Sequence, residues 1–584
     1  MDNLLLAKYV AQALNEIFYQ KNDVVCPESI VIENPPNPNL GDYATPLFGF
    51  AKELKASPAS IAQKLKEWFD KNVKEFEAVV VGPYLNLFVK MEYFAKNLID
   101  SILADGDKYG HNQINSGKKI MIEFSCPNTN KPLHLGHLRN DSLGESVSRI
   151  LKATGAEVYK VNLINDRGIH ICKSMLAYQK FGSGKTPENQ NIKSDHFVGD
   201  YYVQFDKWSK EEPEALKLAQ DMLVKWESGD EETVSLWKLM NEWTVSGINE
   251  TYKNTGISFD KVYYESQTYL SGKEEIIKGL NEGIFYKDEE GVVWVDLEAI
   301  GLDKKVLLRK DGTTLYLTQD IGTAIARHND YPFDSLIYVV ASEQQYHFKV
   351  LFYVLSLLGH KWASQLYHLS YGMVNLPEGK MKSREGTVVD ADDLFAELSS
   401  LAANEIISKG RENEVSDIDE VSSSIALGAL NYYLLATTPS KDMIFNPKET
   451  ISFQGNTGPY TQYMGARISS LIRKYDKMCS ENETLKNATF DGALLITAQE
   501  RQLIKQLGEF PKVVVSAAKD KNPSLVVAFL YELCKTFSRF YHDSPILANE
   551  NYNLIATRIM VSKGVLQVIK NCFALLGIPF LDKM

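Results

Sequence analysis

The strongest constraint on how this chain folds is a pattern that it carries twice. Residues 120–124 are an apolar run of strand length followed by a Cys-Pro-Asn-Thr-Asn loop. Leu143, Val147, Ile150 and Leu151 then recur at helical spacing, Gly155 supplies a stop, and residues 157–164 are again strand-like. Strand, loop, helix and strand make a βαβ unit, the building block of a parallel sheet. The second copy has strands at 335–341 and 366–373 around a helix at 344–358. Two such halves split by a long insertion predict an α/β, doubly wound, Rossmann-type domain.

The remainder sorts around that centre. Residues 1–110 alternate helical patterns with a Pro- and Asn-rich loop and one strand at 84–89, an N-terminal α/β appendage. The turn-forming stretch 104–117 marks its end. The central domain is expected over 111–420, with a mixed helical and polar insertion at about 175–260, and 421–584 reads as a C-terminal α-helical bundle. At 584 residues the chain exceeds what one core usually holds. The N-terminus has the spacing of an amphipathic helix (Leu6, Val10, Leu14, Ile17) and not of a secretion signal. No apolar run reaches the ~18 residues of a membrane span, so a cytoplasmic address and no membrane partner are expected. The six cysteines form no CxxC pair, so neither a disulfide framework nor a cysteine zinc site is indicated. Net charge is −12, but residues 451–584 carry 16 Lys+Arg against 11 Asp+Glu, while 1–450 carry 47 against 64. A positive block within an acidic chain is compatible with a polyanionic partner, and equally with solvated faces.

Chemistry concentrates in two motifs. His134-Leu135-Gly136-His137 follows the first strand and opens its helix. Ligands of doubly wound sheets sit at the carboxyl ends of the strands, where a helix N-terminus offers N–H groups to phosphate, and both imidazoles would reach that anion. Gly136 would let a flat base lie against the backbone where a Cβ would collide. A bare HxGH also fits a helix-capping or metal-holding pair. The second motif, Gly379-Lys380-Met381-Lys382-Ser383-Arg384-Glu385-Gly386, follows the second βαβ unit. Such a basic, glycine-bounded loop can neutralise the charge that develops as pyrophosphate leaves, although alone it reads as a solvated turn.

Together, in this order and on these elements, the two resemble the HIGH and KMSKS signatures of class I aminoacyl-tRNA synthetases. Glu123-Phe124-Ser125-Cys126-Pro127-Asn128-Thr129-Asn130-Lys131 resembles the arginyl enzymes' pattern ahead of the first signature. The stretches at 265–267, 315–320, 340–345 and 454–467 agree with it, as does Asn39-Leu40-Gly41-Asp42-Tyr43-Ala44 in the appendage. The resemblance to arginyl-tRNA synthetases runs over essentially the whole chain.

That resemblance implies a reaction in which arginine and ATP give arginyl-adenylate and pyrophosphate, after which the terminal ribose of tRNA(Arg) takes the arginyl group. A guanidinium substrate independently calls for planar acidic acceptors, and Glu265 and Asp320 are the candidates. Tyr316, one helical turn before Asp320, could hydrogen-bond or stack on the same group. By resemblance Asn128 and Gln344 hold the α-amino and carboxylate end of L-arginine, with Ser125 nearby. His134 and His137 fall to the phosphates, Lys131 and Lys380 to the pyrophosphate side, and Gly136, Met381, Lys382 and Ser383 line the ATP site. Mg²⁺ is expected with ATP, no protein-bound metal is called for, and activation is expected to need bound tRNA. In the C-terminal block Tyr460, Tyr463, Phe540 and Tyr541, with Arg467, could meet unpaired anticodon bases, although Phe540 reads better as core. By resemblance the bundle reads the anticodon and the appendage the tRNA elbow. Deleting 1–110 is then expected to weaken tRNA binding, and the family default is a monomer. No editing domain is expected, since a site that hydrogen-bonds a guanidinium rejects analogues lacking one.

Two departures from the family pattern stand out. Lys382 occupies the usual Ser position of the basic loop, with Ser383 in place of the second Lys of the wider class, so Lys131 is expected to matter more to activation than Lys382. Asn165-Asp166-Arg167-Gly168 replaces the more familiar Gly-Asp-Trp-Gly, which removes any role for a Trp there. The rival readings are a small-molecule adenylyltransferase, which needs no helical C-terminal domain, and a noncatalytic tRNA-binding relative, which should have lost its motif histidines.

Overall fold

The computed structural model describes residues 3–584 apart from 21–23, 36, 38–39, 183, 270, 313–314, 378–388, 409 and 412–416. The chain divides into two compact units, one of Met1–Tyr109, Arg467–Lys512 and Glu532–Asn571, the other of Gly110–Ala466, Val513–Tyr531 and Cys572–Met584.

In the first unit, strands β1 (Tyr43–Pro46), β2 (Phe76–Val81) and β3 (Tyr84–Val89) form an antiparallel sheet in the order β1-β3-β2. The helix Pro58–Asn72 covers it with Ile61, Leu65 and Phe69, and starts on a Ser57 side-chain cap followed by Pro at N1. The β-rich side is joined to the C-terminal helices by ordinary hydrogen bonds. Tyr109 Oη donates to Leu507 O (2.8 Å), and Asn571 Nδ2 to Tyr109 O (2.9 Å). Arg558 Nε donates to the buried Glu500 (2.7 Å).

The second unit is built on a five-stranded parallel sheet of β4 (Lys119–Glu123), β5 (Glu157–Ile164), β6 (Lys261–Tyr264), β10 (Ser335–Ala341) and β11 (Leu366–Tyr371), in the order β11-β10-β4-β5-β6. Four of these strands were legible as two βαβ units. The fifth, β6, carries too few apolar residues to announce itself. The chain leaves β4 towards β5 on one side, and β10 towards β11 on the other. The carboxyl ends of β4 and β10 therefore flank the point where strand order reverses, the usual ligand crevice of such sheets. The helix Leu135–Ala153 lies close over that point because Gly144 has no side chain: a Cβ there would come within 2.3 Å of the Phe124 ring.

The insertion is helical, with Ser194–Glu211, Glu214–Glu227 and Glu231–Thr255 as its long members. It packs about Phe197, Phe205, Trp208 and Met240. A small antiparallel sheet of β7 (Tyr286–Lys287), β8 (Val293–Val295) and β9 (Lys305–Leu308) follows it. The pair β12 (Val374–Asn375) and β13 (Met443–Ile444) is parallel. The fold is thus the expected one: an α/β parallel-sheet catalytic unit, an N-terminal α/β region and a C-terminal helical region.

Among the described residues the helix Tyr552–Leu576 is long and apolar enough to cross a membrane, but 67 % of its apolar window is buried within the fold, as a core helix would be. Thr557, Arg558, Ser562 and Lys563 interrupt it, so counting uninterrupted apolar residues passes over it.

Candidate active site

The HxGH segment is held by its own backbone. His134 is the N-cap of the helix Leu135–Ala153; its Nδ1 accepts from Gly136 N–H (3.1 Å), and His137 Nδ1 accepts from His134 N–H (3.1 Å). The rings lie 3.9 Å apart between centroids. Because each Nδ1 accepts a peptide N–H, the remaining proton of each neutral ring sits on Nε2. Burial and the Lys131 ammonium push His134 down to about 4, and burial with His134 and Lys131 lowers His137 well below its ordinary value. At neutral pH both rings are uncharged Nε2–H donors.

One expectation about this helix changes. Its N-terminal N–H groups are not left for a ligand: Leu135 N–H donates to Val389 O (3.0 Å), Gly136 N–H to His134 Nδ1, and His137 N–H to His134 O (2.7 Å). What this helix end still offers an anion is its side chains and the field of the helix. As for Gly136, what a Cβ would meet is the His134 ring, at 2.9 Å from Cε1. Glycine here preserves the imidazole's position, whatever it does for a base.

On the β4 side the backbone is strained. Ser125 and Cys126 have φ of 76° and 50°, left-handed values uncommon for residues with a Cβ. Two asparagines and a tyrosine hold them there. Asn140 Oδ1 accepts from Ser125 N–H (2.6 Å), Asn162 Oδ1 from Cys126 N–H (3.0 Å), and Ser125 Oγ lies 2.6 Å from Tyr252 Oη. Asn128 forms a parallel bridge with Asn165. Ser125 is buried with its hydroxyl engaged, so it shapes the loop, while Asn128 is half-buried.

A second cluster lies at the same carboxyl edge of the sheet, after β5 and β6 and on the helix Tyr316–Asp330. Glu265 directly follows β6. The Gln319 amide, oriented by its neighbours, donates to Glu265 Oε1 (2.7 Å) and accepts from Arg167 NH1 (2.9 Å). Burial, with Asp320 and Asp166 near, raises Glu265 to about 7 against the pull of Arg167. Asp320 Oδ2 lies 2.6 Å from His347 Nε2. The Arg167 guanidinium stacks on Tyr269 (4.0 Å) and pairs with Glu227 (2.7 Å), and Asp166 accepts from Ser266 N–H (2.8 Å) and Oγ (2.6 Å). Tyr316 opens the helix on which Asp320 stands one turn later, and is 76 % exposed. Gln344 is exposed at the turn after β10.

Motif reading missed Gln319, His347 and Arg167. Arg167 was noticed as a departure without a role; Gln319 and His347 lie beside named residues and carry no spacing signal of their own. Lys380, Met381, Lys382 and Ser383 lie outside the described residues. Lys131 is half-buried and borders, with His134, His196, Asp200, Tyr202 and Asp390, a cavity of about 200 Å³. Of the proposed RNA contacts, Tyr460 stands 6.0 Å from Tyr531, Tyr463 lies under Arg411, and Arg467 stacks on Tyr541 at 4.0 Å. Phe540 is fully buried, as core.

A parallel sheet whose switch point carries a histidine-capped HxGH helix is the architecture of a class I aminoacyl-tRNA synthetase. Residues 98–447 match the family described as tRNA synthetases class I (R), catalytic domain; 461–584 match the DALR anticodon binding domain, and 4–89 the arginyl tRNA synthetase N terminal domain. The arginine–tRNA ligase of Treponema denticola is 57% identical over 584 residues, covering 99% of this chain and 98% of that one. That of Treponema pallidum is 52% identical over 579 residues, covering 98% of each. The solved arginyl-tRNA synthetase of Thermus thermophilus superposes with a TM-score of 0.78 at 26% identity, covering 100% of both chains. The chain belongs to the arginyl-tRNA synthetase family.

Proposed function

We propose that the chain joins L-arginine to tRNA(Arg) at the expense of ATP, with the half-reactions divided between the two clusters described above. The observation that carries the choice of amino acid is the pair Glu265 and Asp320, near enough for one charge to raise the other's pKa, at the carboxyl edge of the sheet that also bears HxGH. A guanidinium bridging them would relieve that repulsion and supply the planar donors two carboxylates accept. Gln319 holds one oxygen of Glu265 and His347 one of Asp320, which leaves the other oxygens for the ligand. In this reading Tyr316 covers the guanidinium, and Asn128 and Gln344 take the α-amino and carboxylate end.

In the first step an arginine carboxylate oxygen attacks the α-phosphorus of ATP, the α–β bridging P–O bond breaks, and pyrophosphate leaves with the electron pair. In the second, a ribose hydroxyl of the tRNA terminus attacks the arginyl carbonyl and AMP leaves. Neither step needs a protein nucleophile. The work is alignment and charge stabilisation, done here by the Nε2–H groups of His134 and His137 and by the Lys131 ammonium. Mg²⁺ would arrive with ATP and would supply positive charge that offsets the phosphates. Lys380, Met381, Lys382 and Ser383 belong to the same ATP site in this reading. The domains are taken as 1–110 for tRNA recognition, 111–420 for catalysis with the insertion at about 175–260, and 421–584 for the anticodon, with Tyr460, Tyr463 and Arg467 on the RNA side. The working unit is a monomer in the cytoplasm.

The test is ATP–pyrophosphate exchange across the twenty amino acids, with and without total tRNA. Exchange with arginine alone, appearing when tRNA is added, is the expected result. Exchange with a different amino acid would overturn the pocket assignment, and none under any condition would favour a noncatalytic relative.

A further inference from the structure

The insertion helices grip the chain on the far side of the HxGH motif. Val389 O accepts from Leu135 N–H (3.0 Å), Ala391 N–H donates to Leu133 O (3.0 Å), and Asp390 is the antiparallel bridge partner of His134. Residues 389–391 therefore fix the backbone on both sides of His134. They are themselves fixed from the insertion. His196 Nε2 donates to Asp392 Oδ2 (2.9 Å) and lies 3.5 Å from Asp390 Oδ1. Lys193 Nζ donates to the same Asp392 oxygen (2.7 Å), to Asp195 Oδ2 (3.1 Å) and to Thr251 Oγ1 (2.6 Å), and Thr251 Oγ1 donates to Asp392 Oδ1 (2.9 Å). Asp195 is fully buried because Gly247 leaves it room: a Cβ on Gly247 would come within 2.3 Å of its carboxylate.

Asp195, His196 and Asp392 bring metal-ligand atoms within 4.8 Å of one another, but a bound cation would have to displace the Lys193 ammonium from Asp392. The arrangement is a clasp whose positive charge the protein supplies. Asp390 also caps the helix Ala391–Ser408, accepting from Asp392 N–H (2.8 Å) and Asp393 N–H (3.2 Å), so a shift at Asp392 moves the cap that faces His134.

We infer that His196 is a positioning residue for arginine activation: by clamping Asp392 and Asp390 it sets where the 389–391 segment holds His134, and it makes the ATP site answer to the position of the insertion helices. The inference rests on the reading that His134 meets the ATP phosphates. The groups facing the His196 ring are Asp390 and Asp392 from one side, and Asp195, Asp200 and Lys193 from its own region, with Lys131 and His134 across the cavity. The carboxylates outweigh burial and raise His196 to about 8. The clasp is therefore charged below that pH and weakens above it.

The test is arginine- and tRNA-dependent ATP–pyrophosphate exchange by His196→Ala, His196→Gln and Asp392→Asn between pH 6.5 and 9, with arginine affinity measured separately by calorimetry. Losing a charge-assisted hydrogen bond in a half-buried site should raise KM for ATP or lower kcat roughly tenfold while the arginine Kd stays as in the wild type. The wild-type rate should fall as pH passes 8, and that limb should vanish in both His196 variants. His196→Gln keeps a donor and should recover part of the neutral-pH rate, so it stands in if the alanine variant fails to fold. Wild-type ATP kinetics with an unchanged alkaline limb in the His196 variants would overturn the inference. His134→Ala run alongside separates the two ideas: if it too leaves ATP kinetics intact, the reading of the ATP site has failed, and otherwise the clasp alone has.

Discussion

Arginine binding should depend steeply on pH, because one of its acceptors is not fully ionised in the empty protein. Burial beside Asp320 and Asp166 lifts Glu265 to about 7. Only the carboxylate accepts a guanidinium, and a bound cation favours that form, so binding strengthens as pH rises through 7 and levels off above it. With a pKa of about 7, about a tenth of Glu265 is ionised at pH 6 and about nine-tenths at pH 8, so the apparent Kd should fall ~10-fold across that interval. Near pH 7 about half a proton should leave per arginine bound. Isothermal titration without ATP or tRNA reads both quantities: Kd from the isotherm, proton release from the dependence of heat on buffer ionisation enthalpy. Omitting ATP keeps His134 and His196 out of the measurement. Glu265→Gln should weaken binding and flatten the profile. A wild-type Kd constant within a factor of two from pH 6 to 8, or the same slope in Glu265→Gln, would refute the argument.

Three further outcomes are expected. Gly136→Ala should leave Tm within a few degrees while ATP-dependent turnover falls by ~10²-fold, since the new Cβ displaces His134, and small misplacements of aligned groups are that expensive; pyrophosphate exchange with parallel calorimetry checks it. His347→Ala should raise the arginine KM several-fold, about 1 kcal/mol for a lost hydrogen bond that orients Asp320, with kcat affected less; steady-state kinetics at saturating ATP and tRNA would expose an unchanged KM. Lys131→Ala should depress activation more than Lys382→Ala, and equal losses in single-turnover adenylate formation would sink that ordering.

The centre of the fold was legible because β4, β5, β10 and β11 are rich in apolar residues, β10 almost continuously so, and helical patterns separate each pair. The edge strand β6 (Lys-Val-Tyr-Tyr) and the small sheet of β7 to β9 are too short to stand out from loops. The site was legible where chemistry forces a fixed local spacing, as at His134, Gly136 and His137. Residues that support the site are chosen by tertiary proximity. His196 and Asp392 stand 196 positions apart, and Gln319 serves Glu265 from another helix, so no local pattern announces either pair. The helix N-terminus shows the opposite error: sequence promises free N–H groups, and the folded chain consumes them.

The capping arrangement of His134 and His137 has a consequence for what kind of catalyst this is. Their tautomers are set by peptide groups that exist before any substrate arrives, and lowered pKa values keep the rings neutral at working pH. Neither ring can take up a proton without breaking a bond that holds it in place. If these rings meet the ATP phosphates as proposed, adenylation is electrostatics on a fixed frame, with no proton in flight through the two histidines, and exchanging H₂O for D₂O should find little in them to slow.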